Sequence, residues 1–226
     1  MPYIRTRQHV NPLSRQFQTP IETPAWETVF AHPDQPLHLD IGCARGRFVL
    51  EMAEICPNWN FMGLEIRKVL VDEANGIAQA RGLGNLSYLF ANANVSLSQV
   101  FAPATVDLVT IQFPDPWFKR RHQKRRLVQP ELVAALAQII KPGGFVFLQS
   151  DVLEVAVQMR ETFAEHSLFK VGCPARYGLG EICSDLEQGR WLGENPLPVK
   201  TEREKRVEFY QLPIYRCGFL RQEVEN

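Results

Sequence analysis

Apolar and polar positions along this chain follow two rhythms in turn, and that exchange of rhythms predicts the architecture. Short apolar, β-branched runs at residues 37–41, 61–65, 86–91, 106–113 and 145–148 read as buried strands. Between them lie segments of helical period. One starts at Gly46 with Phe48, Val49, Met52, Ala53 and Ile55 on one side and stops before Pro57. Others cover residues 69–80, 95–101 and 153–163. The clearest spans residues 127–140, with Pro130 near its start, a stripe at Leu132, Val133, Leu136, Ile139 and Ile140, and Lys141-Pro142-Gly143-Gly144 as its stop. Residues 169–172 are a candidate sixth strand. Residues 206–215, where Val207, Phe209 and Leu212 alternate imperfectly, read as a final strand antiparallel to the rest. Strands alternating with helices imply a parallel sheet with right-handed crossovers and helices on both faces.

The fourth of these strands leads into the most distinctive stretch of the chain. Asp107-Leu108-Val109-Thr110-Ile111-Gln112-Phe113 runs into Pro114-Asp115-Pro116-Trp117, a turn in which one carboxylate sits between two residues of fixed φ. Lys119, Arg120, Arg121, His122, Gln123, Lys124, Arg125 and Arg126 follow, six cations in eight positions. In open α/β sheets the carboxyl ends of the strands are where ligands bind. An acid and an aromatic beside such a strip suit an anionic polymer; a solvated basic loop is the plainer reading of the strip alone. Trp117 either stacks on a base or wedges the turn.

Charge sharpens that picture, because the chain as a whole is neutral: 25 Lys and Arg balance 25 Asp and Glu. Attraction for nucleic acid must therefore come from a local patch. The 226 residues suit one sizeable domain, and 45% hydrophobic with 22% charged residues is ordinary for a soluble protein. Five widely spread cysteines (Cys43, Cys56, Cys173, Cys183, Cys217) with no CxxC pair argue against a disulfide framework or a zinc site. Neither a signal peptide nor an apolar run of membrane-spanning length is evident, so a soluble, cytoplasmic protein is expected. Residues 1–36 hold six of the 16 prolines, and Arg5, Arg7 and Arg15 precede the first acid, Glu22. They read as an extended basic arm ahead of a domain over residues 37–226, either an RNA contact or a frayed terminus.

Three cues at successive strand ends point to a cofactor. After the first strand, Asp40-Ile41-Gly42-Cys43-Ala44-Arg45-Gly46 offers glycines that let the backbone pass close to a ligand, without the third glycine of a dinucleotide fingerprint. Asp40 would repel a pyrophosphate but suits a sulfonium with an α-ammonium group. Glu65, 19 residues past Gly46, can accept from both hydroxyls of a ribose. Asn92 and Ala93 offer an amide and a backbone N–H to an adenine edge. Together they fit S-adenosylmethionine and the class I methyltransferase pattern.

With Phe113-Pro114-Asp115-Pro116-Trp117, then Lys119, then Arg121-His122-Gln123-Lys124-Arg125-Arg126, the chain closely resembles the tRNA (guanine-N7-)-methyltransferase family, which modifies the variable-loop guanine of tRNA. The likeness covers nearly all of residues 37–216 and includes Ser150-Asp151 and Thr201-Glu202-Arg203-Glu204. It implies an α/β fold: a Rossmann-like, doubly wound, mostly parallel seven-stranded sheet with a last antiparallel strand. It implies Asp40, Gly42, Gly46, Glu65, Asn92, Ala93 and Asp115 as contacts of S-adenosylmethionine or its product S-adenosylhomocysteine, with Asp115 also the active-site acid. Lys119, Asp151, Thr201, Glu202, Arg203 and Glu204 are the implied substrate contacts, and Arg121, His122, Gln123, Lys124, Arg125 and Arg126 the RNA-contacting run. No metal is implied; tRNA is the expected partner, with neither a membrane nor an obligate protein partner. Two positions depart from the family pattern: Ala44 stands where a glycine is often seen, and Asn92 where bacterial members often have Asp.

Guanine N7 carries an in-plane lone pair at neutral pH, so attack needs orientation and electrostatics and no prior deprotonation. Asp115 is then expected to orient the reactants and stabilise the charge that develops on the base. Glu204 and Asp151 are the candidate acceptors for the guanine N1–H and N2–H₂ edge. Thr201 to Glu204 also has the spacing of a helix capping box. The rival readings are a methyltransferase of another RNA or of a protein amide or amine, and a non-catalytic RNA-binding subunit. The first sits badly with a turn carrying one proline after its acid. The second has no use for three acids facing an RNA.

Overall fold

The computed structural model describes residues 10–172 and 191–223. Its framework is one seven-stranded sheet in the order β3-β2-β1-β4-β5-β7-β6. The strands are β1 (Leu37–Ile41), β2 (Asn60–Glu65), β3 (Leu86–Phe90), β4 (Val106–Gln112), β5 (Ile140–Ser150), β6 (Phe169–Val171) and β7 (Tyr215–Arg221). β1 pairs in parallel with both β2 and β4, and β4 with β5, while β7 runs antiparallel between β5 and β6. The strand order therefore reverses between β1 and β4. The loops after these two strands diverge there and leave a crevice.

The helices are α1 (Trp26–Val29), α2 (Arg47–Ile55), α3 (Lys68–Ala80), α4 (Ala93–Val100), α5 (Pro130–Ile139), α6 (Leu153–Ala164) and α7 (Glu202–Phe209). Two apolar clusters separate the layers. Phe48, Val49, Met52 and Ala53 of α2 and Val71, Ala74 and Ala78 of α3 cover one face over Phe61 and Tyr88. Leu97, Leu132, Val133, Leu136, Val155, Met159 and Phe163 of α4, α5 and α6 cover the other. With both faces covered, β1 and β2 are buried along their whole length, which is why they read as continuous apolar runs.

The C-terminal region departs from expectation. Residues 206–215 do not form a strand: α7 occupies 202–209 and the antiparallel strand comes later, at 215–221. Thr201 caps α7, its Oγ1 accepting from Glu204 N at 3.0 Å, and Glu202 and Glu204 lie in the first turn with Arg206 in the last. Those charges complement the helix dipole. Of the apparent alternation only Val207 is buried; Phe209 and Leu212 are exposed. Ion pairs Arg47–Glu202 and Lys205–Glu51 tie α7 to α2, so α7 belongs to the layer over the first cluster.

The later part of the arm lies against the domain. Thr23 Oγ1 donates to Gln99 O at 2.8 Å and Trp26 Nε1 to Val100 O at 2.9 Å, while Trp26 packs on Phe101. Arg5 and Arg7 lie outside the described residues, as do Cys173 and Cys183.

Two glycines make room for the buried Tyr88 ring beside the loop after β1 by lacking a side chain. A Cβ on Gly46 would stand 2.1 Å from the Tyr88 ring, and one on Gly63 2.6 Å from that ring and 2.8 Å from Cys43 Sγ. Tyr88 cannot retreat, because its ring is buried and its hydroxyl donates to Gly46 O at 2.7 Å. Gly63→Ala is expected to destabilise the fold by roughly 1–3 kcal/mol through overpacking, read as a Tm several degrees lower in thermal unfolding; an unchanged Tm contradicts this packing account.

Candidate active site

A cavity of about 740 Å³ opens at the carboxyl ends of β1, β2 and β4. Asp40, Gly42, Glu65, Asn92, Ala93 and Asp115 line it, as do Asp151, Thr201, Glu202 and Arg203. The strand topology thus gathers into one space most of the residues expected to hold cofactor and several of those expected to hold substrate, while Gly46, Lys119 and Glu204 lie outside its wall.

The loop after β1 is shaped by three left-handed residues, Gly42 (φ 82°), Ala44 (φ 52°) and Gly46 (φ 68°). Gly42 N and Cys43 N both donate to Leu64 O, which pins the loop to β2. Ala44 occupies a conformation that suits glycine, and its N–H donates to Glu65 Oε2 at 2.9 Å. The loop therefore keeps its shape with alanine at that position, and the backbone strain is offset locally by a charge-assisted hydrogen bond.

Asp40 is 4% exposed, with Oδ1 accepting from Thr110 Oγ1 at 2.6 Å and Gln112 Nε2 at 3.3 Å. Burial pushes its carboxyl up to about 6; the hydrogen bonds from Thr110 and Gln112 oppose the rise and Glu65 adds to it. Glu65, also 4% exposed, is saturated: it accepts from Ala44 N, Arg67 N, Arg67 Nε and Arg67 Nη2 at 2.9–3.0 Å. A carboxylate offers about four acceptor sites, so a ribose can be held here only when the Arg67 guanidinium yields.

Asn92 is the N-cap of α4, its Oδ1 accepting from Asn94 N at 3.2 Å. Its Nδ2 donates to Pro12 O at 3.2 Å and Phe17 O at 3.0 Å. The amide thus ties the arm beside the cavity, where Pro12 forms part of the wall. An aspartate at 92 would face both carbonyls with no donor, which accounts physically for the asparagine.

At the end of β4 the acid-bearing turn is held between two non-glycine residues of positive φ, Phe113 (50°) and Trp117 (41°). Such strain persists only where the surroundings over-determine the backbone. Here Phe113 N donates to Gln149 O at 2.8 Å, and Pro116 O accepts from Arg126 Nε at 2.9 Å. Trp117 is packed edge-on by His122 and lies 5.1 Å beneath the Arg125 guanidinium. The His122 imidazole is held below its usual pKa by desolvation, with Arg125, Arg121 and Lys119 adding repulsion.

The structure divides the basic run. Lys119, Arg121 and Lys124 are exposed, as is Arg120. Gln123 Nε2 donates to Glu154, and Arg126, 5% exposed, pairs with Glu154 at 2.6 Å while bracing Pro116. Arg126 is thereby engaged within the turn, unlike the exposed cations of the run. On the substrate side Glu204 also departs from expectation. It is 0% exposed, absent from the cavity wall, and engaged by Arg216 at 2.8 Å and Asn195 at 2.8 Å. Asp151 does face the cavity, paired with Arg203.

Sequence reasoning passed over Arg67, Gln112 and Phe118, all of which line the cavity. Gln112, a polar residue closing an otherwise apolar strand, was the available signal. The cavity's size and acid placement fit S-adenosylmethionine. Asp40 suits an α-ammonium, Glu65 a ribose diol, and the start of α4 an adenine edge, while the left-handed loop keeps side chains out of the way. Among the described residues no helix is long and apolar enough to cross a membrane, and no group of three or more His, Cys, Asp or Glu is placed to hold a metal ion.

Arg126→Ala leaves the Pro116 carbonyl without its donor and Glu154 without its cation, so it is expected to cost roughly 1–3 kcal/mol and to lower the Tm, whereas Lys124→Ala should leave the Tm unchanged. Equal melting of the two variants overturns the division.

Residues 34–217 match a family model described as "Putative methyltransferase". The chain is 54% identical over 228 aligned residues, covering both chains fully, to the tRNA (guanine-N(7)-)-methyltransferase of Synechococcus elongatus. It is 52% identical to the enzyme of that name from Thermosynechococcus vestitus, covering 96% of this chain and 95% of the other. Among solved structures, the 16S rRNA methyltransferase KamB superposes with a TM-score of 0.56 over 88% of this chain and 91% of its own, at 17% identity, a likeness of fold. This chain belongs to the tRNA (guanine-N7-)-methyltransferase family.

Proposed function

We propose that this protein transfers the methyl group of S-adenosylmethionine to N7 of the variable-loop guanine of tRNA, with Asp115 as the acid at the reacting centre. The observation that carries the reading is the single cavity in which Asp40, Glu65 and Asp115 meet Asp151, Thr201, Glu202 and Arg203, in a chain alike over its full length to tRNA (guanine-N(7)-)-methyltransferases.

When bound, the cofactor supplies an electrophilic methyl on a sulfonium. The protein's part is placement. Asp40 takes the amino-acid end, and Glu65 takes the ribose once Arg67 has swung aside. The edge of α4 at Asn92 and Ala93 meets the adenine. Asp115, with Pro114 and Pro116 limiting its backbone freedom, lies where positive charge appears on the guanine as N7 is alkylated. It stabilises that charge and orients the base, and no proton has to leave N7 first. With Glu204 buried, Asp151 is the remaining carboxylate for the guanine N1–H and N2–H₂ edge, with Arg203 holding it in place. Thr201 serves chiefly to cap α7, and Glu202 and Arg203 border the base.

Lys119, Arg121 and Lys124, together with Arg120, grip phosphates at the cavity rim, giving affinity that carries little sequence information. His122 and Arg125 act by bracing Trp117, and Gln123 by tethering the strip to α6. Trp117 is therefore the wedge of the turn.

Asp115→Ala is expected to abolish methylation of unmodified tRNA while leaving tRNA binding intact; label from methyl-labelled cofactor should appear as 7-methylguanosine at the variable loop with the unaltered protein. Near-normal turnover by the variant, or label at another base, refutes the assignment. Replacing Lys119, Arg121 and Lys124 together by Ala should flatten the salt dependence of tRNA binding, by up to roughly three in the slope of log K against log salt. An unchanged slope in filter binding contradicts that role.

A further inference from the structure

On the face that carries α2 and α7, a row of polar side chains crosses four strands of the sheet. Asp40 of β1 stands opposite Thr110 of β4, Gln112 of β4 opposite Gln149 of β5, and Gln149 opposite Arg216 of β7. The row is continuously bonded. Arg216 Nε donates to Gln149 Oε1 at 3.2 Å, Gln149 Nε2 to Gln112 Oε1 at 2.7 Å, and Gln112 Nε2 to Asp40 Oδ1 at 3.3 Å. At the far end Arg216 Nη2 donates to Glu204 Oε1 at 2.8 Å, and Gln149 Nε2 reaches Glu204 Oε2 at 3.1 Å.

Two properties set this row apart from ordinary strand-end polarity. It is buried: Gln149 and Glu204 are 0% exposed, Asp40 4% and Arg216 5%. Gln149 follows the wholly buried run Phe145–Leu148, where an apolar side chain would satisfy packing. It is also directional. From the Arg216 guanidinium one line of donors leads through Gln149 and Gln112 to Asp40, so two side-chain amides lie between a cation and a carboxylate, while Gln149 Nε2 also donates back to Glu204. Hydrogen-bond chains of this kind polarise one another in a low-dielectric interior. Thr110 and Gln112 together occupy Oδ1 of Asp40, leaving Oδ2, which accepts no hydrogen bond from the described residues, on the cavity side.

We propose that Gln112 and Gln149 are positioning residues that act through Asp40, relaying the Arg216–Glu204 pair beneath α7 to the carboxylate that receives the cofactor's amino-acid end. The proposal rests on the reading of Asp40 as that carboxylate. It gives the buried Glu204 a function: from beneath the helix that bears Glu202 and Arg203, it anchors a line of donors running to the cofactor side.

The row opposes the burial that raises Asp40. The groups around this carboxylate are either held in one state by burial or paired with an opposite charge. Burial holds His38 neutral behind Thr110, lowered to about 3, and holds Cys43 and Tyr88 well above their usual values. Glu65 is paired with Arg67, Arg45 with Glu73, and Arg47 with Glu202. Asp40 is raised to about 6, so it is ionised above that pH and neutral below it, and an ammonium ligand is held above and lost as pH falls through it. Removing donors from the row must move that midpoint upward.

The test is calorimetric titration of S-adenosylhomocysteine between pH 5.5 and 8 into the full-length protein and its Gln149→Met variant. Gln149 lies outside the cavity wall, so any effect is transmitted. The expected result is a midpoint about half a pH unit higher, which makes the ratio of Kd at pH 6 to Kd at pH 8 roughly twofold larger than in the unaltered protein. Gln112→Met, at a less buried position, should shift the midpoint in the same direction and stands in should the buried substitution prevent folding. Superimposable pH profiles, or an affinity loss equal at every pH, overturn the proposal. Unaltered protein that binds S-adenosylhomocysteine at no pH removes the reading of Asp40 itself, and the relay with it.

Discussion

A carboxylate buried at the end of a central parallel strand is the constraint on which this active site turns. Asp40 sits at the point where strand order reverses, between β2 and β4, in a position nearly closed to water. Left alone there it would protonate, and a neutral acid has little hold on an ammonium group. The donors of Thr110 and Gln112 come from the neighbouring strand, and Gln112 is in turn held by the next. The register of β1, β4, β5 and β7 brings this row of side chains together. In the proposed reading, fold and cofactor site are joined through it.

The turn after β4 solves a second problem by similar means. Asp115 has to stand in the cavity between two prolines, and the chain reaches that geometry through left-handed Phe113 and Trp117. Arg126 braces the far side by bonding Pro116 O and Glu154, and Arg125 and His122 fix the Trp117 ring. The basic run is consequently two devices interleaved. Its inward members shape the turn, and its outward members present charge to solvent, as the proposed grip on a polyanion requires.

What the sequence made legible follows from what each signal depends on. The five central strands and the helices between them were readable because a doubly covered sheet turns each strand into an apolar run. That Asp40, Glu65, Asn92 and Asp115 line one cavity was readable because each lies at the end of such a run or in a turn just beyond it. Residues 206–215 were misread because the local alternation of Val207, Phe209 and Leu212 imitates a strand, while the features that make the segment helical are the Thr201 cap and contacts to α2, more than 150 residues away in the chain. Glu204 and Arg126 resembled ligands for the same reason that they are structural. A charged residue in a motif looks exposed until its buried partner is seen, and Arg216 and Glu154 are remote in sequence. Gln112 and Gln149 carry no charge and no motif, and only strand register reveals that they meet.

The central claim is that the cavity's acids divide the cofactor between them: Asp40 at the amino-acid end, Glu65 at the ribose, Asp115 at the sulfur. A crystal structure of the protein with S-adenosylhomocysteine tests this most directly. The account predicts the α-ammonium within hydrogen-bonding distance of Asp40, whose bonds to Thr110 and Gln112 persist. It also predicts the ribose diol on Glu65 with the Arg67 guanidinium turned away, and the thioether sulfur facing Asp115. A ligand lying in the reverse sense, with its ammonium on Glu65, or a ligand bound while Arg67 still saturates Glu65, would contradict it.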